Sequence, residues 1–278
     1  MTIKRILLIM LIAITGLGYE SMAQSDLLIT PKRVVFEGNK QLEELNLVNT
    51  GKDTATFSIS FLQYNMQEDG SILIIQKPDS GQLFADSYLR IFPRQVTLAP
   101  GEPQVIMLQC RRTKDMTAGE YRSHLYFRSE NKYAPLGIGN SAKDTTLLSV
   151  QLIPIYGMSI PIIIRSGEVN FNTKIVDLYL EKRQDSIQNL KLTITRTGNS
   201  SVYGDIKIQF IPANGKPYEI DGKRGVGIYT NINKRNVIVK LNNKQGEKLK
   251  NGKLKVQYTS NGEVKNPVVY AEGELVIN

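Results

Sequence analysis

The chain has 278 residues but one cysteine, one histidine and no tryptophan. A lone Cys110 closes no intrachain disulfide, so the fold must be held by its apolar cores. Cys110 and His124 are together too few for a zinc site of the usual kind. Neither sits in a motif that would make Cys110 a nucleophile with His124 as its base, and both are read as structural. A glycine-rich phosphate loop, a Walker motif and Gly-x-Ser-x-Gly are all absent, and Glu68-Asp69-Gly70 reads as a turn. These gaps argue against an enzyme and against a bound cofactor. A sustained period of 3.6 residues is missing too, which argues against helices.

What the chain does have begins with a leader. Lys4 and Arg5 precede an apolar run from Ile6 to Leu17, and small residues follow at Ser21 and Ala23. That is the pattern of a secretory signal peptide over residues 1–23, and the apolar run is short for a bilayer span. The chain is therefore expected to act outside the cytoplasm, without stable membrane insertion. Its formal charge of +9 comes from lysines scattered along the sequence. With no tryptophan and no basic-aromatic interleaving, nucleic acid is not an expected partner.

From Leu27 onward, short apolar-alternating segments are separated by turn residues, an all-β pattern. Phe57, Ile59 and Phe61 share one strand face, and Val105 to Cys110 follows the turn Pro100-Gly101-Glu102. Apolar density drops at Arg165-Ser166-Gly167, after which a fresh cycle of strands begins. Asn214-Gly215, Asp221-Gly222, Asn251-Gly252 and Asn261-Gly262 are expected as hairpins or turns of that second half. Two β-sandwich domains follow, over residues 24–165 and 166–278.

The stretch Leu147 to Arg165, LLSVQLIPIYGMSIPIIIR, is too apolar for a loop and carries Pro154, Gly157 and Pro161. Prolines are tolerated on edge strands, so an extended strand at a sheet margin is expected. One parity, Leu148, Val150, Leu152, Pro154, Tyr156, Met158, Ile160 and Ile162, is apolar throughout. Two readings stay open: the strand pairs with one from another polypeptide, or it is buried between the two domains.

Four segments carry a resemblance. They are Thr30 to Gly38 (TPKRVVFEG), Leu45 to Gly51 (LNLVNTG), Leu89 to Arg112 (LRIFPRQVTLAPGEPQVIMLQCRR) and Gly119 to Phe127 (GEYRSHLYF). In order and spacing they resemble the N-terminal domain of PapD-like periplasmic pilus-assembly chaperones, and cover most of residues 27 to 165. The second half matches only in position, size and β character. The resemblance implies two immunoglobulin-like sandwiches and a periplasmic chaperone that donates a strand to subunits of a pilus or surface fibre, with an outer-membrane usher as a further partner. It implies a client-binding row of Leu148, Val150, Leu152, Tyr156 and Met158. It also implies a carboxylate anchor at Arg33, with Arg165 as the nearest second cation, because Pro161 stands where the family has a lysine. The alternative is an immunoglobulin-like structural or adhesive surface module without a chaperone cycle.

Overall fold

A computed structural model describes residues 27–130, 155–182, 188–241, 249–261 and 266–277. The all-β expectation holds: the described residues form strands and one 3-10 turn, Asp86–Tyr88. The first half supplies β1 (Leu27–Thr30), β2 (Val34–Phe36), β3 (Leu42–Asn49), β4 (Ala55–Met66), β5 (Ile72–Ile75), β6 (Leu89–Phe92), β7 (Gln95–Leu98), β8 (Pro103–Cys110), β9 (Gly119–Ser129) and β10 (Gly157–Ser166). Two sheets result, in the orders β1-β3-β8-β6 and β2-β10-β9-β4-β5, with β7 also on β4. Alternate side chains fill the space between them: Leu45, Leu47, Ile106, Leu108, Leu125, Phe127, Ile160 and Ile162 are all buried. Cys110 belongs to this core, where burial raises its thiol pKa, so it packs as an apolar residue.

The second half supplies β11 (Phe171–Lys182), β12 (Gln188–Gly198), β13 (Val202–Pro212), β14 (Tyr218–Ile228), β15 (Lys234–Leu241), β16 (Gly252–Ser260) and β17 (Val269–Ile277). These form sheets β11-β12-β15 and β14-β13-β16-β17 around a separate core that includes Leu192, Ile194, Ile208, Val237, Val239 and Val256. The two-sandwich fold class is thus the observed one.

Two local expectations need correcting. Asn214-Gly215 does lie between β13 and β14, but Asp221-Gly222 lies inside β14 instead of turning the chain. Here glycine answers a close approach, because a Cβ on Gly222 would collide with the Ile206 carbonyl oxygen beside a register shift. The long margin strand is the second. Residues 147–154 lie outside the described residues, and the described strand starts at Gly157. Its C-terminal part is interior, since Ile162–Ile164 pair with Val34–Phe36 of β2 on one side and with β9 on the other. Only Gly157–Pro161 keeps the margin character, with β9 as its sole strand partner among the described residues.

Candidate functional site

Backbone phase shows what that margin offers. The Ser129 amide donates to the Tyr156 carbonyl, so the alternation of an antiparallel ladder aims the polar groups of Met158 and Ile160 at β9. Those of Gly157, Ser159 and Pro161 therefore face away from β9, where no described strand pairs with them. Proline lacks only an N–H that would have pointed outward, which is why Pro161 leaves the β9 ladder intact. Gly157 is required for a different reason: a Cβ there would strike the Tyr126 ring.

The side chains of this sheet divide sharply by parity. On β9, Tyr121, Leu125 and Phe127 enter the first core, whereas Glu120, Arg122 and His124 take the opposite face, toward the second sandwich. Arg122 Nη2 donates to Glu120 Oε1 (2.7 Å) and to Ser201 Oγ (2.6 Å), and its guanidinium carbon lies 3.9 Å from the Tyr229 ring centroid. Glu120 Oε2 accepts from the Ser201 amide (3.0 Å) and hydroxyl (2.8 Å). Burial pushes the Glu120 carboxyl up, but Arg122 and the Ser201 hydrogen bonds outweigh it and hold its pKa below the ordinary range. His124 Nε2 shares a 3.2 Å hydrogen bond with the Tyr229 hydroxyl, and Tyr64 meets the imidazole edge-on. Burial, with Arg122 and Arg33 adding to it, lowers the His124 pKa to about 3, so the ring is neutral at pH 7. His124 and Cys110 lie on different sheets, and no base-nucleophile pair exists between them.

A second joint ties the two sandwiches together further along. The tip of the β4–β5 hairpin docks on the start of β15, where the Asn236 amide (2.7 Å) and Arg235 Nη1 (3.1 Å) donate to the Glu68 carbonyl. Asn231 Nδ2 donates to the Met66 carbonyl at 2.8 Å.

The residues singled out from sequence fall as follows. Leu148, Val150 and Leu152 lie outside the described residues. Tyr156 is exposed just before β10, and Met158 is half-buried against the first core. Arg33 and Arg165 come together beside Arg122 and Glu120. The Arg33 guanidinium carbon sits 4.9 Å from the Tyr203 ring centroid, and burial, then Arg122, lowers its pKa to about 10. Arg165 pairs with Glu37 and lies 3.6 Å from Glu120. Arg33, Arg122 and Arg165 thus meet two carboxylates, Glu37 and Glu120, and Arg196 also feels Glu120, so positive charge is in excess. Nε and Nη1 of Arg122 are buried without hydrogen-bond partners among the described residues. Guanidinium geometry suits a carboxylate, and Arg165, with 25% side-chain exposure, is more open to one than Arg122, with 9%. Glu120, Arg122, Ser201, Tyr203 and Tyr229 had not been singled out from sequence. The signal for the first two was the parity of GEYRSHLYF, which puts its charged residues on one strand face.

Among the described residues no helix is long and apolar enough to cross a membrane, and no group of three metal-ligating side chains occurs. No family model and no curated protein matches the sequence. Solved structures do. The chain is similar in fold to pilus chaperones. The YadV chaperone is 13% identical with a TM-score of 0.45, over 91% of this chain and 100% of that one. A chain of the CsuC–CsuE chaperone-tip adhesion subunit complex of Acinetobacter baumannii is 12% identical with a TM-score of 0.44, over 89% and 99%. The chaperone DraB of E. coli is 11% identical with a TM-score of 0.43, over 91% and 96%.

Proposed function

We propose that this protein is a periplasmic chaperone, exported by a signal peptide at residues 1–23, that holds subunits of a pilus or surface fibre by strand donation. The observation that carries the reading is the margin at Gly157–Pro161, which pairs only with β9 among the described residues and lies on the same strand as Arg165. Outward amides of Gly157 and Ser159 supply the ladder to a partner strand, and the row Leu148, Val150, Leu152, Tyr156 and Met158 supplies its apolar contacts. Arg33 receives a carboxylate of the client. Arg165, which pairs with Glu37 and lies 3.6 Å from Glu120, is the nearest second cation in place of a lysine on β10. The two sandwiches divide at the end of β10, where residues 165–166 lead toward β11, and the second covers the Glu120–Arg122 face of the first. An outer-membrane usher remains a further partner of this reading.

Co-expression with candidate surface subunits tests it. A soluble one-to-one complex is expected, abolished by Val150→Asp with Leu152→Asp while the free chain keeps its circular dichroism and melting temperature. Arg33→Ala is expected to weaken the complex by at least about tenfold, as loss of a charge-assisted hydrogen bond does. Unfolding of the free chain by the aspartates would make the row part of its own core and remove the chaperone reading. A complex that forms but never passes its subunit on would favour the structural surface module.

A further inference from the structure

The same sheet has a second open margin at its other end. β5 is the last strand of the order β2-β10-β9-β4-β5 and pairs only with β4 among the described residues. Its sequence is Ile72-Leu73-Ile74-Ile75, and Ile72, Leu73 and Ile74 are 47%, 54% and 61% exposed. Apolar side chains exposed on both faces of an edge strand form a template for another strand. We infer that β5 pairs with β5 of a second copy of this chain, antiparallel about a two-fold axis through Leu73.

The register follows from the backbone. The Gln67 amide donates to the Ser71 carbonyl, so Ser71, Leu73 and Ile75 direct their polar groups at β4 while Ile72 and Ile74 direct theirs outward. Two copies can exchange hydrogen bonds only through outward residues. Pairing Ile72 with Ile74 of the second copy satisfies this and sets Leu73 against Leu73. It also brings Lys77 of one copy toward the acidic turn Glu68-Asp69 of the other, at both ends of the ribbon. The strand's flanks are charged in the required sense: Glu68 and Asp69 precede it, Lys77 follows it, and all three are exposed. An isologous contact needs such self-complementarity. The ribbon is short, so the dimer is a concentration-dependent one.

Sedimentation equilibrium of the exported chain, residues 24–278, from low to high micromolar concentration reads this directly. A monomer-dimer equilibrium is expected, lost in Ile74→Lys and weakened about fivefold in Lys77→Glu, as opposed like charges across strands dictate. Both variants should keep the wild-type melting temperature, because both side chains are exposed. A chain that stays monomeric throughout would overturn the inference. So would a dimer indifferent to Ile74→Lys but lost on Ser159→Pro, which would place the contact on β10, or a defect of Ile74→Lys confined to subunit binding. The proposed chaperone activity stands or falls separately, since Val150→Asp with Leu152→Asp leaves β5 untouched.

Discussion

The two sandwiches bury similar aliphatic cores but treat their margins in opposite ways. In the second, edge strand β17 carries Glu272 and Glu274 against Lys255 and Lys253 of β16, and edge strand β11 is interrupted by a bulge at Asp177, whose φ is 50°. Charges and bulges of this kind keep edges from recruiting strands. In the first, β5 shows three exposed aliphatic side chains and the start of β10 shows a half-open ladder. The contrast lies in the middle of the edge strands, since β17 exposes Val269 and Val276 only toward its ends, and it gives the second sandwich the task of supporting the open sheet.

The largest effect should come from attacking that support. Glu120→Ala leaves Arg122 and Arg165 facing each other without their shared carboxylate and Ser201 without its acceptor. Loss of one partner from a buried ionic cluster costs about 3–5 kcal/mol, measurable by urea denaturation. If the variant matched the wild type, the second sandwich would not be holding the open sheet through this joint.

Acid should act on the same joint. The folded-state pKa of His124, about 3, lies below its unfolded value near ~6.5. Its contribution is therefore complete above the unfolded value and fades as pH falls toward 3, because the unfolded chain takes up the proton first. Glu120, also lowered, adds a loss with the same sign in the carboxylate range. Together they predict a fall on the order of a few kcal/mol between neutral pH and pH 3. His124→Gln should remove the upper part of the decline.

A smaller effect is expected at the open margin itself. Gly157→Val should disturb the Tyr126 packing and lower the melting temperature by a few degrees, roughly 1 kcal/mol for a domain of this size. Glu272→Gln with Glu274→Gln should leave it unchanged within error, since exposed pairs contribute little, while making β17 a more permissive edge. A tendency of that double variant to associate would sharpen the contrast between the sandwiches.

Strand parity made much of this legible beforehand. The alternation at Leu45 and Leu47, Ile106 and Leu108, and Val237, Val239 and Leu241 is plain in sequence and corresponds to buried rows. The charged cluster between the sandwiches was only half legible. Arg33 and Arg165 could be picked out, but their neighbours Tyr203 and Tyr229 come from the other sandwich, and sequence carries no record of which faces meet. The margin state of β10 depends on a three-residue pairing with β2, too short to leave a periodic signal. Asp221-Gly222 misled because a glycine needed for close backbone approach looks the same in sequence as one needed for a turn.

The account rests on the outward amides of Gly157 and Ser159 being free to enter a partner's ladder. Hydrogen-deuterium exchange on the isolated chain and on its complex with a co-expressed subunit measures this. The account predicts fast exchange at both amides in the free chain and strong protection in the complex. Protection in the free chain, or unchanged fast exchange in the complex, would contradict it.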